Sequence, residues 1–229
     1  MSRIPSVPRE QFDAELLALV SGTDKSEREL HPTAIRAHHP EIAKAYLRFG
    51  AALRQHAVLP ARLKELVRLR IAFFNQCRSC MAMRYADAVD DGVTESLVCS
   101  LERPQEADDL SPAEKAALRY AELLATDHLA IDDAIHAELA RHFDHRAVVE
   151  LGMYCGMCVG FGRLAATWSM VEDLPERFQA VAETPVTPWG PDAWVTARPA
   201  ESPCTDAGSP GQAAGPPGCT DLPLQAPHP

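Results

Sequence analysis

The sequence is short of basic side chains and of aromatics, and each shortage closes off a class of function. Lys and Arg number 22 against 32 Asp and Glu, a formal net charge of −10 with a pI near 5.3. Nucleic acid calls for clustered basic residues, so no nucleic-acid partner is expected. Aromatics are only 6% of the 229 residues, yet apolar residues at 46% suffice for an ordinary core. No run of about 18 uncharged apolar residues occurs, which predicts no membrane span. The opening MSRIPSVPREQFDAE lacks the apolar core of a secretory signal, so the cytoplasm is the expected location. HExxH, a Gly-rich phosphate loop and a nucleophile elbow are all missing. The histidines, among them His56, His128, His136, His142 and His145, have no ligand spacing. Neither a metal nor a cofactor is implied.

What is present centres on residues 60–92, PARLKELVRLRIAFFNQCRSCMAMRYADAVDDG. Pro60 suits the first turn of a helix. Leu63, Leu66, Val67, Leu69, Ile71, Phe73 and Phe74 then recur at helical spacing, with Glu65 inside the pattern. Asn75 reads as the N-cap of a second helix carrying Cys77-Arg78-Ser79-Cys80, and Gly92 as its left-handed cap.

Before this pair, residues 10–20 form a short amphipathic helix, and Asp24 to Pro40 reads as polar and broken. Pro40 to His56 forms the next helix, with Ile42, Ala45, Tyr46, Phe49 and Leu53 as its inner face. After it, Val93-Thr94 opens a short helix, and Ser111-Pro112-Ala113-Glu114 is a capping box starting another. Further helices begin near Asp132 and Asp144, the last running to about Asp173. No convincing strand is evident, so the expected fold is all-α, a single helical domain of roughly eight helices. From Pro185 onward lie 11 of the chain's 19 prolines, few apolar side chains and no repeat. Such a segment buries too little surface to offset its ordering entropy, and a disordered tail is expected, with Cys204 and Cys219 as incidental thiols.

Cytosolic Cys-x-x-Cys spacing indicates redox or metal chemistry. Two sulfurs one helical turn apart share a face and can meet. Cys77 lies in a first turn, where free N–H groups favour a thiolate. Arg84, four residues past Cys80, is placed to stabilise its thiolate, since a nearby positive charge lowers a thiol pKa. Glu65 is the candidate proton acceptor, although a surface ion pair with Arg62 or Arg68 accounts for it equally well. A second pair, Cys155-Gly156-Met157-Cys158, reads as core packing rather than zinc. Gly152, Gly156 and Gly160 beside it form a small-residue stripe suited to close helix approach.

The run HPEIAKAYLRFGAALRQHAVLPARLKELVRLRIAFFNQCRSCMAMRYADAVDDGV resembles the carboxymuconolactone decarboxylase superfamily, and within it the alkyl hydroperoxidase D branch. The marks are Glu65 in an E-L-V helix, Cys77 and Cys80 twelve residues on, and the closing Gly92. The likeness spans about residues 38–172. It divides the chain into an N-terminal segment 1–37, a hydroperoxidase D-like domain 38–176 and a Pro/Gly-rich tail 177–229. The resemblance implies a homo-oligomer, commonly a trimer or hexamer, acting as a thiol-dependent peroxidase or disulfide reductase. It implies a small peroxide or disulfide substrate and a separate thiol or dithiol reductant. In that scheme Cys80 attacks, Cys77 supplies a proton and then forms the disulfide, and Glu65 begins the proton relay. The branch has a His where this chain has Arg84. Arginine stays charged, with a pKa above about 12, and cannot relay a proton. Two alternatives stay open. One is a cofactor-free lyase or isomerase of a small carboxylate with Arg84 as clamp. The other is a non-catalytic, redox-responsive helical oligomer.

Overall fold

The structure is a computed structural model that describes residues 2–20, 25–179, 185–189 and 193–196. Helices α1 (Ala14–Val20), α2 (Glu27–Arg36) and α3 (Pro40–Gln55) form an N-terminal layer. Leu16, Val20, Leu30, Ala34 and Ala43 make its core. Buried Lys44 ties the layer together through Asp13, Glu15 and Glu41, at 3.5, 3.0 and 2.6 Å.

The main core is built around α4 (Ala61–Asn75), whose Leu63, Leu66, Val67, Leu69 and Ile71 are all buried. Against it pack α8 (Pro112–Thr126) and the 24-residue α10 (His145–Trp168), with α9 (Asp133–Ala140) between them in sequence. Their starts follow the expected capping chemistry. Ser111 and Glu114 close a reciprocal box, Asp132 caps the Ala134 and Ile135 N–H groups, and Asp144 accepts from Ala147. The all-α fold is therefore as expected, and the short pieces bring the count among the described residues to eleven helices.

Several local expectations differ from what is observed. Residues 27–36 are a helix, not a broken segment. Ser26 and Glu29 form a capping box that starts it, and Pro32 is accommodated inside. Asn75 ends α4 rather than capping the next helix, and Gln76 turns left-handed at φ 50°. The Asn75 amide instead donates to Cys158 O at 2.9 Å and accepts from Arg163 Nε at 3.2 Å. The single helix expected over the cysteines breaks into α5 (Arg78–Met81), β1 (Met83–Arg84) and α6 (Ala86–Asp90), before α7 (Glu95–Cys99). Gly92, at φ 87°, is the left-handed residue anticipated after it.

The expected inner face of α3 is also partly turned outward. Ile42 is 61% exposed, whereas Ala43 and Lys44 point inward. On α10 only Gly152 of the stripe meets another helix, its would-be Cβ lying 3.2 Å from Tyr120 Oη, while Gly156 and Gly160 have open space. Gly162 is the true close approach: a Cβ there would lie 2.5 Å from Asn75 Nδ2.

Part of the region expected as tail is ordered against the domain. α11 (Glu176–Gln179) buries Phe178, and β2 (Trp194–Val195) pairs in parallel with β1, Met83 opposite Trp194. Cys204 and Cys219 lie outside the described residues, as does the rest of that segment.

Candidate active site around Cys77 and Cys80

Cys77 and Cys80 are joined as a disulfide, with Cα atoms 5.2 Å apart. Cys77 N-caps α5 and is fully buried, whereas Cys80 is half-buried. Both belong to one apolar cluster with Ile35, Ala165, Trp168 and Met170, which places the pair where α2 and the end of α10 come together with α5. The turn that carries it is set by the left-handed Gln76, whose side chain also bonds Phe73 O and both backbone groups of Val186.

Glu65 is 1% exposed and forms a two-pronged ion pair with Arg68, Nε–Oε2 and Nη2–Oε1 both 2.7 Å. Its Oε1 also accepts the Tyr85 N–H at 3.1 Å. The ion pair foreseen at i+3 is thus present, but buried. Arg62 goes elsewhere, to Glu114 at 2.6 Å. Burial works against the Arg68 charge, and the Glu65 carboxylate outweighs it, holding the guanidinium firmly protonated. The same guanidinium donates to Cys80 O at 2.6 Å and Met83 O at 2.8 Å. Glu65 therefore orients the cation that grips the cysteine turn. In the disulfide state its recorded partners are Arg68 and Tyr85, not a sulfur.

Arg84 does not serve the thiolate. Nε and Nη2 bind the two Glu95 oxygens at 2.9 and 3.0 Å, Nη1 binds Met81 O and Met83 O, and Nη2 reaches Pro188 O at 2.7 Å. A guanidinium has five N–H donors, and all five are engaged. The residue is buried at 1% exposure and pins β1 to residues 185–189. Neither the thiolate-stabilising role nor the substrate clamp has an N–H left to act through. The break after α5 turns Arg84 away from the helical face that i+4 spacing assumed.

Sequence reasoning missed the aromatic and thiol neighbours on this side of α10. Tyr85 lies under Arg68, with the guanidinium carbon 4.8 Å from its ring centroid. Burial raises its phenol to about 12, and raises Tyr154 as well. Burial pushes the Cys158 thiol up to about 12 against the pull of Arg68. Cys155 is fully buried in the main core, its thiol likewise raised by burial. Both stay protonated thiols near neutrality, consistent with the packing role expected of them. His56 is exposed at the end of α3.

Residues 40–123 match the carboxymuconolactone decarboxylase family. That stretch takes in Glu65, the Cys77–Cys80 pair, Arg84 and Gly92. An uncharacterized Mycobacterium tuberculosis protein, Rv2313c, is 36% identical over 117 residues, 50% of this chain and 40% of its own length. An uncharacterized Bacillus subtilis protein, YdfG, is 28% identical over 103 residues, 44% of this chain and 70% of its own. The chain thus spans about two fifths of the mycobacterial relative it matches. A crystal structure from Agrobacterium tumefaciens, a protein of unknown function provisionally assigned as the antioxidant defence protein AhpD, superposes with TM-score 0.53. It covers 58% of this chain and 91% of its own at 21% identity. That likeness is one of fold. Within residues 40–123, the buried Glu65–Arg68 pair joins the scaffold helix to the cysteine turn.

Proposed function

We propose that this chain is a Cys-x-x-Cys thiol oxidoreductase, a peroxidase or disulfide reductase contributing to antioxidant defence. The observation that carries this reading is the Cys77–Cys80 bond, which lies within the stretch matching the family and of which only Cys80 reaches solvent. In the reduced protein, the Cys80 thiolate attacks the distal oxygen of a hydroperoxide. The O–O bond breaks, Cys80 becomes a sulfenic acid, and the alkoxide leaves as the alcohol after taking a proton. Cys77 then displaces the sulfenic oxygen as water and forms the disulfide, which a dithiol reductant reduces in turn. With a disulfide substrate, the first step is thiolate exchange and the substrate leaves as thiol.

Accessibility supports Cys80 as the attacking sulfur and Cys77 as the resolving one. The Glu65 and Arg68 pair holds the Cys80 carbonyl and with it the geometry of the turn. Consumption of peroxide with a dithiol reductant tests the reading. Cys80→Ser is expected to abolish turnover, and Cys77→Ser to stall after one equivalent with a trapped sulfenic acid. Full activity in both variants would end it. The chain is proposed to work as a homo-oligomer, for reasons given by α10 below.

A further inference from the structure

Arg36 ends α2 beside Ile35, which belongs to the same buried apolar cluster as Cys77. Its guanidinium carbon stands 4.1 Å from the Tyr46 ring centroid and 5.3 Å from that of Trp168. Nε is buried and has no hydrogen-bond partner, and no carboxylate pairs with Arg36 among the described residues. Every other arginine near the cysteines is engaged: Arg68 by Glu65, Arg84 by Glu95, Arg78 by the carbonyls of Phe178 and Gln179. A cation taken out of water without an anion is costly, and aromatic faces offset only part of that cost. Burial correspondingly lowers the pKa of Arg36, with the Tyr46 and Tyr85 phenols opposing it.

We propose that Arg36, framed by Tyr46 and Trp168, binds the carboxylate of an apolar monocarboxylate substrate beside the Cys77–Cys80 pair. The proposal rests on the thiol-oxidoreductase reading for the reacting end of that substrate, an organic hydroperoxide or disulfide. The binding itself needs only Arg36 and its aromatic frame. A planar guanidinium presents paired donors that match a carboxylate, and no acidic side chain occupies those of Arg36 among the described residues. Trp168 is shared between the two halves of the site, since it touches both Arg36 and the cluster containing the cysteines. Tyr46 in turn stacks edge-on with Phe161 at 4.6 Å, and Phe161 is 39% exposed, which offers the apolar body a surface to lie on.

The test is calorimetric titration of the oxidised full chain with octanoate and with octanamide, which has the same shape and no charge. Octanoate is expected to bind about tenfold tighter or more, the usual advantage of a charged hydrogen-bonded pair. Arg36→Gln should erase that difference, and Arg36→Lys should keep part of it. The Cys77→Ser/Cys80→Ser variant should retain the full preference, which separates this inference from the thiol chemistry. In turnover, Arg36→Gln should raise KM for a fatty-acid hydroperoxide about tenfold relative to its methyl ester. Equal binding of octanoate and octanamide, absence of octanoate binding, or a preference that survives Arg36→Gln each overturns the inference. Should Arg36→Gln fail to fold, the comparison on the parent and on Arg36→Lys decides alone.

Discussion

Glu65→Gln keeps the shape of the side chain and removes its charge, so it isolates what the buried ion pair does. In the parent, both carboxylate oxygens accept from Arg68 at 2.7 Å, and one also takes the Tyr85 N–H. Gln offers one acceptor and turns an NH2 toward a guanidinium that can only donate. Arg68, 6% exposed, is then a buried cation without its anion. Removing one partner of such a pair costs about 3–5 kcal/mol, a large share of the about 5–15 kcal/mol that holds a typical domain together. Urea unfolding of the oxidised protein is expected to show an unfolding free energy lowered by that amount, seen as a lower midpoint with an unchanged slope. Glu65→Met with Arg68→Met together should recover part of the loss, because an apolar replacement of both partners is often near neutral. The recovery is incomplete, since Cys80 O and Met83 O lose their donors at about 1 kcal/mol each. A loss under about 1 kcal/mol for Glu65→Gln would match an exposed pair and refute the account of Glu65 as the anchor of the cysteine turn.

Arg84→Met should lower stability by about 3–5 kcal/mol and leave the Pro188 carbonyl unpaired, read as faster proteolysis within residues 185–196; unchanged proteolysis would count against its pinning role. Cys158 titrates near 12 in the folded chain against an ordinary 9.0. Its protonated form therefore favours the native state fully below about pH 9, and that contribution is lost as pH rises toward 12. Parent stability should thus fall more steeply than that of Cys158→Ala between pH 8.5 and 10.5 by roughly 1–2 kcal/mol, measured by urea unfolding; parallel curves would exclude the burial effect. On α10, Val149, Met153 and Leu164 are 64%, 51% and 43% exposed, in line with the open Gly156 and Gly160. This seam suits a second copy of the chain, because its spacing is that of paired helices and its small residues admit a close neighbour. Light scattering is expected to show an oligomer that Met153→Glu with Gly156→Glu dissociates; a 25.0 kDa species in the parent would refute it.

Much of the scaffold is legible because it is written in local chemistry. Ser111 and Glu114, Asp132 and Asp144 each announce a helix start through a side chain that meets the first free N–H groups. The same signal was present at Ser26 and Glu29, and it was outweighed by Pro32, which the helix tolerates near its middle. The left turn at Gln76 has no such mark. It arises because the Gln76 amide is held by Phe73 and Val186, and Val186 is 110 residues away. Long-range contacts of that kind also decided the fate of Asn75, drawn to Cys158 and Arg163 rather than to its own following turn. α10 illustrates the reverse case. It has the length and mean hydropathy, 1.3, of a membrane-crossing helix, while Leu151, Tyr154, Cys155 and Trp168 pack inside the domain.

The two arginines show what residue spacing can and cannot report. Glu65 and Arg68 share one unbroken helix, so their meeting follows from a separation of three. What spacing cannot report is that the side of α4 carrying them is covered, turning a weak surface pair into a buried anchor. Cys80 and Arg84 look equally simple at a separation of four, but the backbone between them leaves the helix at Ala82 and pairs with Trp194. Three carbonyls, of Met81, Met83 and Pro188, converge there with the Glu95 carboxylate. A histidine has two ring nitrogens and cannot satisfy them all, whereas a guanidinium can. Arginine at this position is therefore explained by the chain's own architecture, with residues 185–189 and 193–196 packed against the cysteine turn. It leaves recognition of an anion to Arg36, which has no such obligations.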